Sequence, residues 1–179
     1  NTTQRHAATL LCSTDGQALR ATCQGRTVEA PALLIAPMVC KTVEALGRPL
    51  LLIDLEPSHP HYRHFQALAV PGIQALQGAQ GAALQDLGRA FAAGQLQGQA
   101  VDAQVREAVA ATVRQLQQPA PLDPRMRKLM CLLDEDPGAE LERLAPLLGL
   151  SAHHASRLFH QGLGLPLRRY ALSIKIRAA

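Results

Sequence analysis

The sequence predicts an α+β chain: a small N-terminal antiparallel β-barrel or sandwich, then helices, then a C-terminal helix-turn-helix segment. Three observations carry this prediction. Residues 7–56 alternate short apolar runs with turn residues. From Pro60 to Gln118 the composition shifts to Ala, Leu and Gln, which favour helix. Residues 139–161 then set a glycine between two short amphipathic helical patterns.

In the β half, Ala7–Cys12 runs into Asp15-Gly16, and Ala18–Cys23 follows. Asp-Gly suits the positive φ angles of a tight turn, so a hairpin is expected here. Gln24-Gly25 marks a second turn before Thr27-Val28-Glu29. Ala32–Ala36 and Pro49–Leu55 are short apolar runs bounded by turn residues, as buried strands are.

In the helical half, the clearest helix is expected over Val101–Gln117. Its stripe is Val101, Val105, Ala108, Val109, Thr112 and Leu116. Such a stripe packs on its own domain or forms a dimer contact. Pro119-Ala120-Pro121 reads as a linker, dividing a 1–118 domain from a 122–179 domain. Beyond it, Asp123 can N-cap a helix that has Pro124 at its first position. Met126, Leu129, Met130 and Leu133 share one face of that helix, and Pro137-Gly138 ends it.

At 179 residues there is room for one compact domain or two small ones. Hydrophobic residues make up 47% and charged residues 18%, a balance that disfavours long disordered tracts and fits a soluble globular protein. The longest apolar stretch, Ala30–Cys40, is broken by Pro31 and Pro37 and is too short to span a bilayer, so no membrane partner is expected. The start at Asn1 has no apolar leader pattern, so no signal peptide is expected, and four cysteines without a disulfide-scaffold pattern point to a reducing cytoplasm. Without an initiator Met, the chain is expected to be a processed or trimmed product. Cys12, Cys23, Cys40 and Cys131 lack zinc-finger spacing and are expected as buried small hydrophobes in a reducing compartment.

The net charge is +4, and its distribution matters more than its size. From Ser151 onward the charges are Arg157, Arg168, Arg169, Lys175 and Arg177, with no acid among them. This is a local attraction for a polyanion. In the helix-turn-helix, Leu141, Leu144, Ala145 and Leu148 form one apolar face. Gly149 permits a left-handed exit, Leu150 plugs the turn and Ser151 caps the next helix. Ala155, Leu158 and Phe159 point inward there, leaving His153, His154, Ser156, Arg157 and His160 outside. Arg157 can present its planar fork to guanine O6 and N7, and Ser156 can bond a base or a phosphate. Ser151 and the helix N-terminus can hold a phosphate.

Gly149-Leu150-Ser151, Ser156-Arg157-Leu158-Phe159 and Gly164-Leu165-Pro166-Leu167-Arg168-Arg169-Tyr170 resemble the DNA-binding region of the AraC family of bacterial regulators. The resemblance covers about Leu122 to Ala179. It implies two helix-turn-helix units joined by a long helix, which Pro166–Ala179 resembles, with Leu167, Tyr170, Ala171 and Ile174 buried. It also implies base contacts from the positions of His153, Ser156 and Arg157. Family members with sensor domains often begin with a cupin-like barrel and dimerising helices, and residues 7–57 resemble such a sensor. The implied function is transcription control, with double-stranded DNA, an unidentified small-molecule effector and a second copy of the chain as partners, and no cofactor.

Three departures qualify the resemblance. The second helix-turn-helix is missing from the sequence, so a fragment is expected. Pro146 falls inside the first helix of the motif, where proline removes a backbone hydrogen bond and kinks the helix. Ala155 stands where the family places a larger apolar residue, so a thin core is expected beneath the recognition helix.

Other chemistries are less supported. His59, His61 and His64 place three imidazoles close in sequence, but solvated or capping histidines are the expectation because a metal site needs ligand count and geometry. No nucleophile–base pair stands out, and Gly25, Gly47 and Gly72 are isolated rather than a phosphate loop, so an enzyme is not expected. Two Tyr, three Phe and no Trp leave little for stacking single-stranded nucleic acid. The competing readings are a cupin-type metalloenzyme with a helical tail, and a dimeric interaction module that does not bind DNA.

Overall fold

In the computed structural model, which describes residues 2–45 and 47–178, the N-terminal half is built on short strands. They are β1 (Thr2–Thr3), β2 (Ala8–Ser13), β3 (Leu19–Cys23), β4 (Arg26–Ala30), β5 (Ala32–Ile35), β6 (Lys41–Glu44), β7 (Leu50–Leu55) and β8 (Ile73–Ala75). Among the described residues they make two four-stranded antiparallel sheets, ordered β1-β6-β3-β4 and β7-β2-β5-β8, and neither is closed on itself. The helices are α1 (Tyr62–Gln66), α2 (Gly78–Ala92), α3 (Gln99–Val113), α4 (Pro124–Glu135), α5 (Leu141–Leu144), α6 (Ala152–Leu163) and α7 (Leu167–Ala178). The architecture is α+β.

The hairpin expected at Asp15-Gly16 does not form. β2 pairs with β5 and β7, whereas β3 pairs with β4 and β6, so this turn carries the chain from one sheet to the other. The reason is burial: every residue of β2 is buried, so it needs a strand on each edge and cover on each face. The hairpin lies at Gln24-Gly25 instead. Cys23 there faces Arg26 across two residues that both have positive φ, the geometry that matches strand twist.

Alternation along β2 and β5 divides two cores. Leu11, Leu33 and Ile35 pack with Leu19, Ala21 and Cys23 of the other sheet. Leu10, Cys12 and Leu34 fall on the opposite face of their strands. There α2 lies on β2 and β5, and the Cys12 thiol donates to the Leu84 carbonyl at 3.3 Å. The approach is close because α2 presents Gly88, where a Cβ would come within 3.2 Å of Cys12 Sγ.

The stretch whose composition favours helix, Pro60–Gln118, also contains β8, which pairs with β5. Ile73 is buried there, and the backbone groups of β5's free edge are satisfied by it. The helix expected over Val101–Gln117 is α3, which ends at Val113. Val109 and Thr112 of its stripe are buried, whereas Val101 and Val105 are half-buried.

The chain divides into two compact units. One comprises Asn1–Leu55 and His61–Gln118; the other comprises Glu56–Pro60 and Pro119–Ala179. Glu56–Pro60 joins the second unit partly through Ser58, whose backbone N–H donates to the buried Ser173 hydroxyl at 3.1 Å. In that unit Asp123 caps α4 as expected, accepting the Arg125 backbone N–H at 2.8 Å. Met126, Leu129 and Leu133 are buried. Ala179 and the side chain of Arg177 lie outside the described residues. Among the described residues no helix is long and apolar enough to cross a membrane.

The cysteines divide by exposure: Cys12 and Cys23 are buried, whereas Cys40 and Cys131 are exposed, contrary to the expectation for all four. Burial pushes the Cys12 thiol up from 9.0 to about 11. An aromatic disulfide reagent at about pH 8 is therefore expected to modify Cys40 and Cys131 quickly, and Cys12 and Cys23 only after unfolding. The unfolded Cys12 thiol ionises first, so stability is expected to fall as pH rises from about 9 to about 11. Urea melts across that range should show a shallower fall for Cys12→Ala than for the unaltered chain.

Candidate nucleic-acid interface and sheet pocket

Pro146 decides how the second unit enters its central turn. Without an N–H, it cannot continue an α-helix from the preceding turn. Accordingly α5 covers only Leu141–Leu144, and the chain goes on as a 3-10 helix over Ala145–Leu148, with Pro146 in its first turn. The expected kink is thus a change of helix type. Leu144, Ala145 and Leu148 are buried, and Leu141 is half-buried. Gly149 takes φ +66°, the left-handed region where a side chain is strained. The Gly149 N–H donates to Pro146 O at 3.0 Å, and the Leu150 N–H to Ala145 O at 3.1 Å, closing the 3-10 helix.

Ser151 then caps α6: its Oγ accepts the His154 backbone N–H at 3.3 Å. Ala155, Phe159 and Leu163 form the buried face of α6. Leu158, expected inside, is half-buried. Phe159 meets Tyr170 of α7 edge to face, ring centroids 5.2 Å apart. Tyr170 and Ile174 are buried and Leu167 and Ala171 half-buried, so α7 packs through the expected stripe. Ala155 is fully buried.

Ser151, His153, His154, Ser156, Arg157 and Arg168 are all exposed. His153, Ser156, Arg157 and His160 recur at helical spacing and share one face of α6. His154 is drawn toward the cap, its Nδ1 3.1 Å from Ser151 Oγ. His154, Arg157 and Gln161 also line a shallow groove of about 380 Å³ with Leu150, Leu158 and Arg125. Among the described residues neither Arg157 nor Arg168 is held in an ion pair.

Sequence reasoning missed Arg125. Its place beside α6 follows from the packing of α4 on that helix, which no local motif encodes. The Arg125 guanidinium grips Asp123 at 2.8 and 3.1 Å and holds that carboxyl down to about 2.

The first unit carries a second candidate site that the sequence did not reveal. An open pocket of about 340 Å³ is lined by Thr9 and Leu11 of β2, Lys41 and Val43 of β6, and Leu52 of β7, among others. Arg5 contributes a second cation and bonds Asp54 at 2.8 Å; Thr9 Oγ1 donates to the other Asp54 oxygen at 2.7 Å. The Lys41 residue is only 5% exposed, yet among the described residues no hydrogen bond or ion pair engages its ammonium. Burial, then the positive charge of Arg5, depress its pKa, while Asp54, Cys23 and Cys40 act the other way.

The histidine run is divided. His59 belongs to the second unit, whereas His61 and His64 belong to the first, their rings edge to face at 5.7 Å. His64 Nε2 lies 3.3 Å from Gln118 Oε1. Among the described residues no group of three or more His, Cys, Asp or Glu side chains is arranged to hold a metal ion. Comparison of the chain with models of known protein families and with curated proteins finds no match to either.

Removing the α6 cap tests the role of Ser151. Ser151→Ala is expected to cost about 1 kcal/mol and Ser151→Asp to restore most of it. Urea melts followed by far-UV circular dichroism measure both.

Proposed function

We propose that this chain is a ligand-responsive, sequence-specific DNA-binding regulator of the AraC type, acting on double-stranded DNA in the cytoplasm as a homodimer. In this reading the two-sheet unit is a cupin-like sensor. The segment from α5 to α6 is a helix-turn-helix whose second helix enters the major groove. The observation that carries the reading is the outer face of α6. It presents His153, Ser156 and an uncommitted Arg157 directly after a capped N-terminus, in a stretch with no acidic residue. Free backbone N–H groups at such an end hold phosphate, and an unpaired arginine keeps both donors for a guanine edge. Arg168, exposed near the start of α7, supplies a phosphate contact. The half-buried Val101 and Val105 of α3 supply a helix–helix dimer contact.

A duplex selected from a random-sequence library, followed by fluorescence anisotropy, tests this. Arg157→Ala is expected to cost about 1–3 kcal/mol and to relax the preference at one base pair. Arg168→Ala is expected to weaken binding evenly across sequences and to lower the salt slope by about 1. Selection that recovers no preferred sequence, or binding insensitive to salt, would rule the reading out.

A further inference from the structure

The pocket between the sheets has an uneven chemistry. Its apolar side includes Leu11 and Val43, and also Leu50 and Leu52 of β7, which remain 39% and 45% exposed. Large apolar side chains left open beside a pocket favour a ligand with an apolar body. The polar side is cationic. Lys41 and Arg5 line the pocket, and the carboxylate that acts on Lys41, Asp54, is already held by Arg5 and Thr9. Among the described residues the Lys41 ammonium has no ion-pair partner, and it ends a buried side chain at the open wall of the pocket.

We infer that this pocket binds a small amphipathic monocarboxylate, its carboxylate on the Lys41 ammonium and its apolar body against Leu11, Leu50 and Leu52. The inference rests on reading the first unit as an effector sensor and supplies the class of effector. An ammonium at the wall of a pocket is only partly solvated, and a carboxylate is the partner that both neutralises it and accepts its hydrogen bonds. A neutral ligand of the same shape leaves the charge unpaired. An inorganic anion leaves the leucines exposed. Burial depresses the Lys41 pKa, and a bound carboxylate opposes that depression.

The test is isothermal titration of the full chain, without DNA, using octanoate, octanamide and inorganic phosphate as probes. Octanoate is expected to bind one per chain, at least about tenfold more tightly than octanamide, with phosphate not binding. Lys41→Met should abolish the preference for octanoate over octanamide. Leu52→Asp, at a position 45% exposed, should weaken octanoate more than octanamide, and it serves if Lys41→Met does not fold. Equal binding of octanoate and octanamide, or an undiminished preference in either variant, overturns recognition by charge. Phosphate binding as tightly as octanoate overturns the apolar component, and no octanoate binding overturns the whole inference. Because DNA is absent from the titration, each of these failures is separate from a failure of the DNA-binding test.

Discussion

The first unit depends on one constraint: β2 is buried on both faces and both edges. Its even-numbered residues face the helical side and its odd-numbered residues face the other sheet, while β5 and β7 take up its backbone groups. A strand in this position cannot end in a hairpin with its sequence neighbour without giving up one of those edges. The Asp15-Gly16 turn therefore leaves the sheet. The same constraint explains why α2 carries a glycine at its approach to β2, since a Cβ at Gly88 would crowd Thr14 at 3.1 Å and Cys12 at 3.2 Å. Register then sets the pocket. Thr9 lies opposite Asp54 and Leu11 opposite Leu52, so the face of β2 that helps build the core also supplies the pocket's hydroxyl and part of its apolar wall.

The second unit is governed by local chemistry. A proline, a left-handed glycine and a capping serine follow one another within six positions, Pro146 to Ser151, and each fixes one step of the backbone. Proline turns the α-helix into a 3-10 helix, glycine reverses the direction, and serine accepts the orphan N–H of His154 in the first turn of α6. The exposed face of α6 follows from where that cap sits, because a shift of one residue would rotate Arg157 by about 100° around the helix axis. The buried pair Phe159–Tyr170 then fixes how α6 meets α7.

This contrast explains what was legible in the sequence. The start of α4 at Asp123-Pro124, the α6 cap and the burial of Tyr170 and Ile174 all follow from neighbours a few positions away. They could be read from residue types alone. Strand pairing could not. β8 is three residues long, within a stretch whose composition favours helix, and it exists because β5 has an open edge. The pocket was illegible for the same reason. Arg5, Thr9, Lys41, Leu52 and Asp54 are scattered over the first 55 residues and meet only once the register of β2 with β7 is known. Arg125 joins the α6 groove through helix packing, with no sequence signal of its own beyond a pairing with Asp123.

In the proposed complex the discriminating contact is at the Lys41 ammonium, which ends a side chain packed between the sheets. A charge carried on a buried stem is less well solvated than one on the open surface, so lysine is a poorer choice here for stability alone than an apolar side chain of similar length. A lysine here is therefore better explained by what can reach it than by what surrounds it. If the occupant brings a carboxylate, the free energy of the unpaired charge becomes part of the binding free energy. Occupied chains are then favoured over empty ones by that differential interaction, and a ligand lacking it shifts the balance less. Under the proposed sensor reading, the response would then be set by the chemistry of the ligand as well as by its fit.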